Sequence, residues 1–395
     1  MSYIWQQSNW PKFTYTDSTT PANQLYHYAQ NAARLSNQLQ GIPEDQRLDA
    51  CIDLMVSEAI TTSAIEGENL NPEDVRSSLR NHLGLSHPPL HVRDPRAQGI
   101  SALMVQNFQQ TDTQLDDETL FRWHRMLLPR DYDAWGHKLN VGAWRTEGMD
   151  VVSGPVHKQK IHFSAPPANV VANEMAAFFD WYNNSNPQHS SPEALIPGPI
   201  RAAITHLWFV TIHPFDDGNG RIARALADHA LAQDTRQTML HSLSTAIEQN
   251  KQAYYDQLEQ AQKGDTDISE WIAWFVDITI QSLDITQSTI AWTVQKAGFL
   301  KTHQAAINDR QLAVVLDLFS NGVGGDPRSV NRNKYVKRAK CSPSTALRDL
   351  QDLVSKSVLV QLPGEGRNTR YGLNIELKRQ TDQYNPSQTP LDNKI

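Results

Sequence analysis

Apolar residues recur at helical spacing along much of this chain. Between Pro199 and Ile212 they fall at Ile200, Ile204, Leu207, Trp208 and Ile212, one face of a helix, so this segment is predicted to be buried. Pro214 disfavours helical backbone at the preceding residue and ends the helix at His213. Gly218 and Gly220 then permit a tight turn, and Arg221 opens a second helix with Ile222 and Leu226 facing inward. Farther upstream, Leu48, Ile52, Met55, Val56, Ala59 and Ile60 mark a helix over 48–65, with Gly67 as a stop just after Glu66. Val151 to Pro155 and Ile161 to Phe163 alternate turn residues with short extended runs, the pattern of a β-hairpin.

The remaining pattern sets a layout. Residues 1–90 begin with short aromatic-rich extended pieces, Tyr3-Ile4-Trp5 and Lys12 to Tyr15, and then turn helical. His87-Pro88-Pro89 separates them from a helical core at 91–265. Helices over 266–305 connect this core to a small domain at 306–375, and 376–395 is a polar tail that reads as disordered. Within the small domain, helices are predicted at Leu312 to Phe319, at Lys334 to Ala339, and from a Ser342 cap with Pro343 at the first position. Val358 to Gln361, the turn Pro363 to Gly366 and Thr369 to Leu373 make a hairpin. The fold class is therefore mainly α with one hairpin, followed by a small α+β domain of winged-helix form.

Composition narrows the class. At 395 residues the chain is long enough for two or three domains. Cys51 and Cys341 fall in different domains and neither has a partner at metal-ligand spacing, which favours a reducing, cytoplasmic setting. The first thirty residues lack a secretion signal. Trp271 to Leu283 is the most apolar later stretch, but it is broken by Asp277 and too short for a bilayer, so no membrane partner is expected. Net charge is −7, yet residues 326–370 hold ten Lys or Arg against four Asp or Glu. That local balance of +6 suits contact with DNA phosphates, with Ser344, Thr345 and Arg348 on the recognition helix and Arg367 and Arg370 on the wing.

The chemistry concentrates at His213-Pro214-Phe215-Asp216-Asp217-Gly218-Asn219-Gly220-Arg221-Ile222-Ala223-Arg224. A glycine-bearing turn feeding a helix N-terminus aims N–H groups and the positive dipole end at one point, a phosphate nest. His213 is the candidate general base. Asp217 is a hard oxygen ligand suited to Mg²⁺. Arg221 and Arg224 share a helix face and can neutralise separate phosphates, while Asn219 can donate to a phosphate oxygen.

This string resembles the loop of the Fic family, His-Pro-Phe-x-(Asp/Glu)-Gly-Asn-Gly-Arg-x-x-Arg, at every fixed position. The resemblance implies a helical Fic core that transfers AMP from ATP to Ser, Thr or Tyr hydroxyls of proteins, itself included, with release of pyrophosphate. His213 would be the base, Asp217 the Mg²⁺ ligand, Gly218, Asn219, Gly220 and Arg221 the cradle for the α- and β-phosphates, and Arg224 the γ-phosphate contact. Thr62-Ser63-Ala64-Ile65-Glu66-Gly67 fits the family's inhibitory pattern (Ser/Thr)-x-x-x-Glu-(Gly/Asn), which would pair Glu66 with Arg224 and keep ATP from binding productively. The hairpin resembles the family's flap, with Ile161, His162 and Phe163 beside the nucleotide and the backbone edge open to the target segment. Asn250-Lys251-Gln252-Ala253-Tyr254-Tyr255 is similar to a run that closes over the adenine, which would bring Tyr254 and Gln262 to the nucleoside. Many relatives are homodimers. A second reading remains open, in which the basic terminal domain makes the protein a DNA-binding transcriptional regulator whose Fic core binds nucleotide or autoregulates.

Overall fold

A computed structural model of the protein describes residues 2–16, 22–132, 136–154, 158–191, 195–235, 241–319, 329–363 and 369–375. Pro155 of the hairpin turn, residues 364–368 with Arg367, residues 326–328 and the tail from 376 lie outside the described residues. The chain divides into two compact units, 1–294 and 295–395.

Among its described residues, the regular structure of the first unit is helical apart from one hairpin. Its helices are α1 (Ala22–Gln40), α2 (Glu44–Ile65), α3 (Pro72–His82), α4 (Pro95–Gln109) and α5 (Asp117–Leu127). The hairpin β1 (Asp150–Ser153) and β2 (Lys160–Ser164) follows, then α6 (Val171–Asn184), α7 (Gly198–Ile212), α8 (Asn219–Thr235), α9 (Leu243–Gln249), α10 (Lys251–Lys263) and the first part of α11 (Ser269–His303). Helix α7 is buried along its whole length, as expected of a segment apolar on nearly every side. Its one buried charge is satisfied: Arg201 donates to Tyr182 O at 2.8 Å and Ser185 Oγ at 2.9 Å and stacks over the Tyr182 ring. Helix α8 packs on α7 and buries Ile222, Leu226 and Leu231 with small alanines between them. It starts at Asn219, ahead of the predicted Arg221, because Gly218 O already accepts the Ile222 N–H at 3.0 Å.

Helix α2 buries Ile52, Met55, Val56 and Ala59, and its last turns also bury Glu58, Thr62 and Ser63. It closes in a Schellman turn: Gly67 takes φ +80°, its N–H donates to Ala64 O, and the Glu68 N–H donates to Ser63 O at 2.9 Å. The strands pair antiparallel, Val151 opposite Phe163 and Val152 opposite Ile161, with a bulge between Val151 and Val152. The predicted extended piece Tyr3 to Trp5 is instead part of a 3₁₀ turn over Ile4–Gln6, because the Gln6 side chain accepts the Tyr3 N–H and closes it. Thr14 does make strand-like contacts: its N–H donates to Thr266 O and its carbonyl accepts from Ile268 N–H.

The second unit contains the end of α11, then α12 (Asp309–Phe319), α13 (Arg332–Ala339), α14 (Pro343–Ser355) and an antiparallel pair, β3 (Leu359–Gln361) and β4 (Tyr371–Leu373). Residues 269–303, read as several helices, are one; Ser and Thr hydroxyls along it bond carbonyls one turn back instead of breaking it. Ser342 Oγ accepts the Thr345 N–H and Pro343 occupies the first turn, so α14 starts at its cap. Val314, Leu318, Leu350, Leu353 and Leu373 form the core, and Asp349 ties it by accepting from Arg310 and Tyr335. Among the described residues no helix is long and apolar enough to cross a membrane.

Candidate active site

His213 ends α7 in the left-handed region, φ 51° and ψ 59°. Such backbone costs energy for a residue with a Cβ and persists only where its surroundings fix it. Pro214 supplies one reason, by closing the right-handed alternative. The imidazole Nδ1 lies 3.2 Å from Val210 O, which can only accept, so Nδ1 carries the proton and Nε2 keeps a lone pair. Burial holds His213 at about 4, below the usual imidazole value, so the ring is neutral at neutral pH.

The loop is closed on itself. Asn219 accepts the Phe215 N–H at 3.0 Å and donates to Phe215 O at 2.8 Å. These two bonds engage the Asn219 carbonyl oxygen and one N–H of its amide within the loop. Phe215 is fully buried and stacks on His124 at 4.0 Å. His124 in turn accepts the Gly142 N–H and donates to Asp217 O at 3.0 Å, while Asp216 accepts from Asn140 N–H and Nδ2. Asp217 remains half exposed, with Oδ1 accepting the Gly218 N–H and lying 3.7 Å from Arg221.

The arginines face carboxylates from the end of α2. Arg224, fully buried, donates from Nε to Thr62 Oγ1 at 2.8 Å and from Nη2 to Thr62 O at 3.0 Å and Glu66 Oε1 at 2.8 Å. Burial pushes the Glu66 carboxyl up, but Arg224, with Arg221 behind it, outweighs this and holds it below the usual carboxylate value. A Cβ on Gly220 would overlap Glu66 Oε1, so this carboxylate sits directly over the glycine turn. Glu68, two residues on, pairs with Arg221 Nη1 at 3.0 Å. Arg221 Nε and Arg224 Nη1 are buried without a hydrogen-bond acceptor among the described residues, two nitrogens whose N–H groups a phosphate oxygen could satisfy. Below Arg224, Glu58 accepts the Ser244 N–H, and burial raises its carboxyl to about 7.

Other predicted residues lie as follows. Ile161 is exposed, whereas Phe163 is buried edge-on to Tyr3, 5.1 Å away. His162 is held by Ser153 Oγ at 2.6 Å and Glu259 at 2.8 Å. Tyr254 is buried, its hydroxyl 3.3 Å from His206 Nε2, and the exposed ring of the pair is Tyr255. Gln262 is buried and donates to Val210 O at 3.4 Å. Glu68, His124 and Arg145 were not singled out from sequence. Only Glu68 had a local signal, as a second acid in the turn that carries Glu66.

Residues 114–231, which include the whole loop, match the model of the Fic/DOC family. The chain is a Fic-domain protein. It is related to known Fic adenylyltransferases, and residues 3–85, ahead of the Fic domain, match a domain of unknown function, DUF4172. It is similar to a protein adenylyltransferase Fic of Nematostella vectensis, 26% identical over 231 residues, which are 56% of this chain and 46% of that protein. A uridine 5'-monophosphate transferase of Xanthomonas campestris is 34% identical over 118 residues, 29% of this chain and 20% of that protein. A probable protein adenylyltransferase of Aquifex aeolicus is 28% identical over 159 residues, 40% and 42% of the two chains. Each matched region thus spans less than half of the relative's length. The fold is similar to that of a Fic family protein from Desulfovibrio desulfuricans G20, with a TM-score of 0.53 at 19% identity, covering 92% of this chain and 98% of that one.

Proposed function

We propose that this Fic-domain protein transfers AMP from ATP to a protein hydroxyl and is held in a restrained state by Glu66. The observation that carries the reading is the Glu66–Arg224 pair lying over Gly220, beside a His213 whose Nε2 is left as an acceptor. In the reaction the target oxygen attacks the α-phosphorus, its proton passes to His213 Nε2, and the bond to the oxygen bridging the α- and β-phosphorus breaks, releasing pyrophosphate. The N-terminus of α8 and Arg221 face the α- and β-phosphates, and Arg224 serves the γ-phosphate once Glu66 leaves. Mg²⁺ would be held by Asp217 and supply charge neutralisation across phosphate oxygens; one exposed carboxylate suits an ion that keeps most of its waters. Glu68 on Arg221 adds a second carboxylate to the restraint.

Incubation with α-labelled ATP and Mg²⁺ tests the reading on the intact chain, Glu66→Gly and Glu66→Gly/His213→Ala. Label should rise on the first variant and vanish on the double variant; no label on Glu66→Gly refutes transfer, and label from the γ position alone makes the protein a kinase. Because one relative is a uridine 5'-monophosphate transferase, α-labelled UTP belongs in the same experiment, and its preferred use would change the nucleotide but not the chemistry.

The terminal unit supports a second role. Arg332, Lys334, Lys337, Lys340, Arg348 and Arg370 are all exposed on its α13, α14 and β4 region, as a winged helix that contacts DNA phosphates requires. A gel shift of the full chain at two salt concentrations, with Arg348→Glu for comparison, decides this: salt-insensitive or absent binding removes it.

A further inference from the structure

Transfer to a hydroxyl requires that the surface holding the target and the base that takes its proton be registered to one another. In the reading above these are the β1–β2 hairpin and His213, which belong to segments about fifty residues apart in sequence. One side chain meets both. Arg145, 2% exposed, donates from Nε to His213 O at 2.7 Å and from Nη2 to Ile212 O at 3.3 Å. Its Nη1 donates to Glu147 O at 2.7 Å, just before β1, and its Nη2 also donates to Pro166 O at 2.5 Å, just after β2. The Arg145 backbone N–H adds Pro214 O at 2.9 Å. Three consecutive carbonyls at the α7 terminus and both feet of the hairpin therefore converge on one residue.

The chemistry fits the task. The last carbonyls of a helix lack intrahelical donors and carry the negative end of its dipole, so a buried cation there is stabilised. A guanidinium offers five N–H donors in a fixed plane, which an ammonium on a flexible stem cannot reproduce. The left-handed backbone of His213 needs neighbours that over-determine it, and Arg145 holds the carbonyl on that residue and on the residues either side.

We infer that Arg145 is a positioning residue that sets the spacing between the target-docking hairpin and the His213 imidazole. It touches neither substrate nor the reacting atoms, and the inference rests on the transfer reading. The test uses the full chain carrying Glu66→Gly, with and without Arg145→Lys. Calorimetry with ATP counts folded sites and gives the affinity; labelled transfer then gives kcat per site. Arg145→Lys should bind ATP with unchanged stoichiometry and affinity while kcat per site falls about 100-fold, the scale of a misplacement near 1 Å. A residue that served only folding would reduce the number of sites and leave kcat per site unchanged, which overturns the inference.

Hydrogen exchange supplies a readout that needs no activity. In Arg145→Lys, residues 150–154 and 158–164 and the loop 213–218 should exchange faster together, and acceleration in one segment alone overturns the coupling. Should Arg145→Lys not fold, native-state exchange on the unsubstituted chain decides: the two segments must share one opening free energy, and different values refute the clamp. If Glu66→Gly transfers no label at all, the transfer reading fails while the exchange result still judges Arg145.

Discussion

In the proposed restraint, Glu68→Gln isolates the part that acts on Arg221. The pair has an oxygen-to-nitrogen distance of 3.0 Å, with Arg221 almost fully buried and about a quarter of the Glu68 side chain exposed. At that distance and an effective dielectric near 20 the gross attraction is about 5 kcal/mol, most of which is offset by desolvation of the two groups. The net value of a hydrogen bond between charged groups is about 1.5–3 kcal/mol. A phosphate competing for Arg221 must displace that interaction and also approach a like charge. ADP is the ligand of choice, because it lacks the γ-phosphate contested by Glu66 and Arg224. With each 1.4 kcal/mol worth tenfold, Glu68→Gln should tighten ADP binding roughly 10- to 100-fold in calorimetry with Mg²⁺. Without ligand the variant should melt lower, since Arg221 has lost its charged partner, and ADP should raise its melting temperature by more than it raises that of the parent. Unchanged or weaker ADP binding would refute the assignment of Glu68 to the restraint.

Thr62→Val removes the acceptor of Arg224 Nε while leaving Glu66 in place, so self-labelling should rise, but less than in Glu66→Gly; labelling at or below the parent's level counts against a role for Thr62. Gly67→Ala meets no atom within 4 Å but must adopt φ +80°, so it should destabilise the chain by about 1 kcal/mol, read as a lower melting temperature, and an unchanged melt would contradict the turn described. Burial lowers His124, His213 and His229 to about 4 and His206 to about 3. The unfolded chain takes up these protons near pH 6.5 while the folded chain does not, so stability should fall as pH drops from about 6.5 towards about 4. By the same shift, transfer by Glu66→Gly should not decline between about pH 7.5 and about 6 as an ordinary imidazole would require, and a midpoint near 6.5 would refute the burial-driven lowering of His213.

The features legible in the sequence are those whose cause is local. The apolar stripe of α7 and the proline after His213 mark a buried helix and its end, and Ser342-Pro343 marks the start of α14. The loop from His213 to Arg224 is contiguous, so its candidate chemistry is visible in one reading. The Glu66–Arg224 contact joins residues 158 positions apart and was reached through a resemblance, since nothing in either segment alone names the other. Arg145 was not legible because its partners are backbone carbonyls, which carry no residue signature. The orientation of the tyrosine pair depends on which face of α10 meets His206, a tertiary outcome that places Tyr254 inside and Tyr255 outside. Asn219 has the composition of a ligand contact, but the nearest groups able to satisfy its amide were those of its own loop.

The Schellman turn from Ser63 to Glu68 carries both acids on a single hydrogen-bonded bend. Loosening the final coil of α2 would therefore withdraw the two carboxylates in concert, giving a response that is steep in whatever grips that bend. On the proposed restraint, a binding partner would not need to reach the loop itself to release it; pulling at Gly67 from outside would suffice.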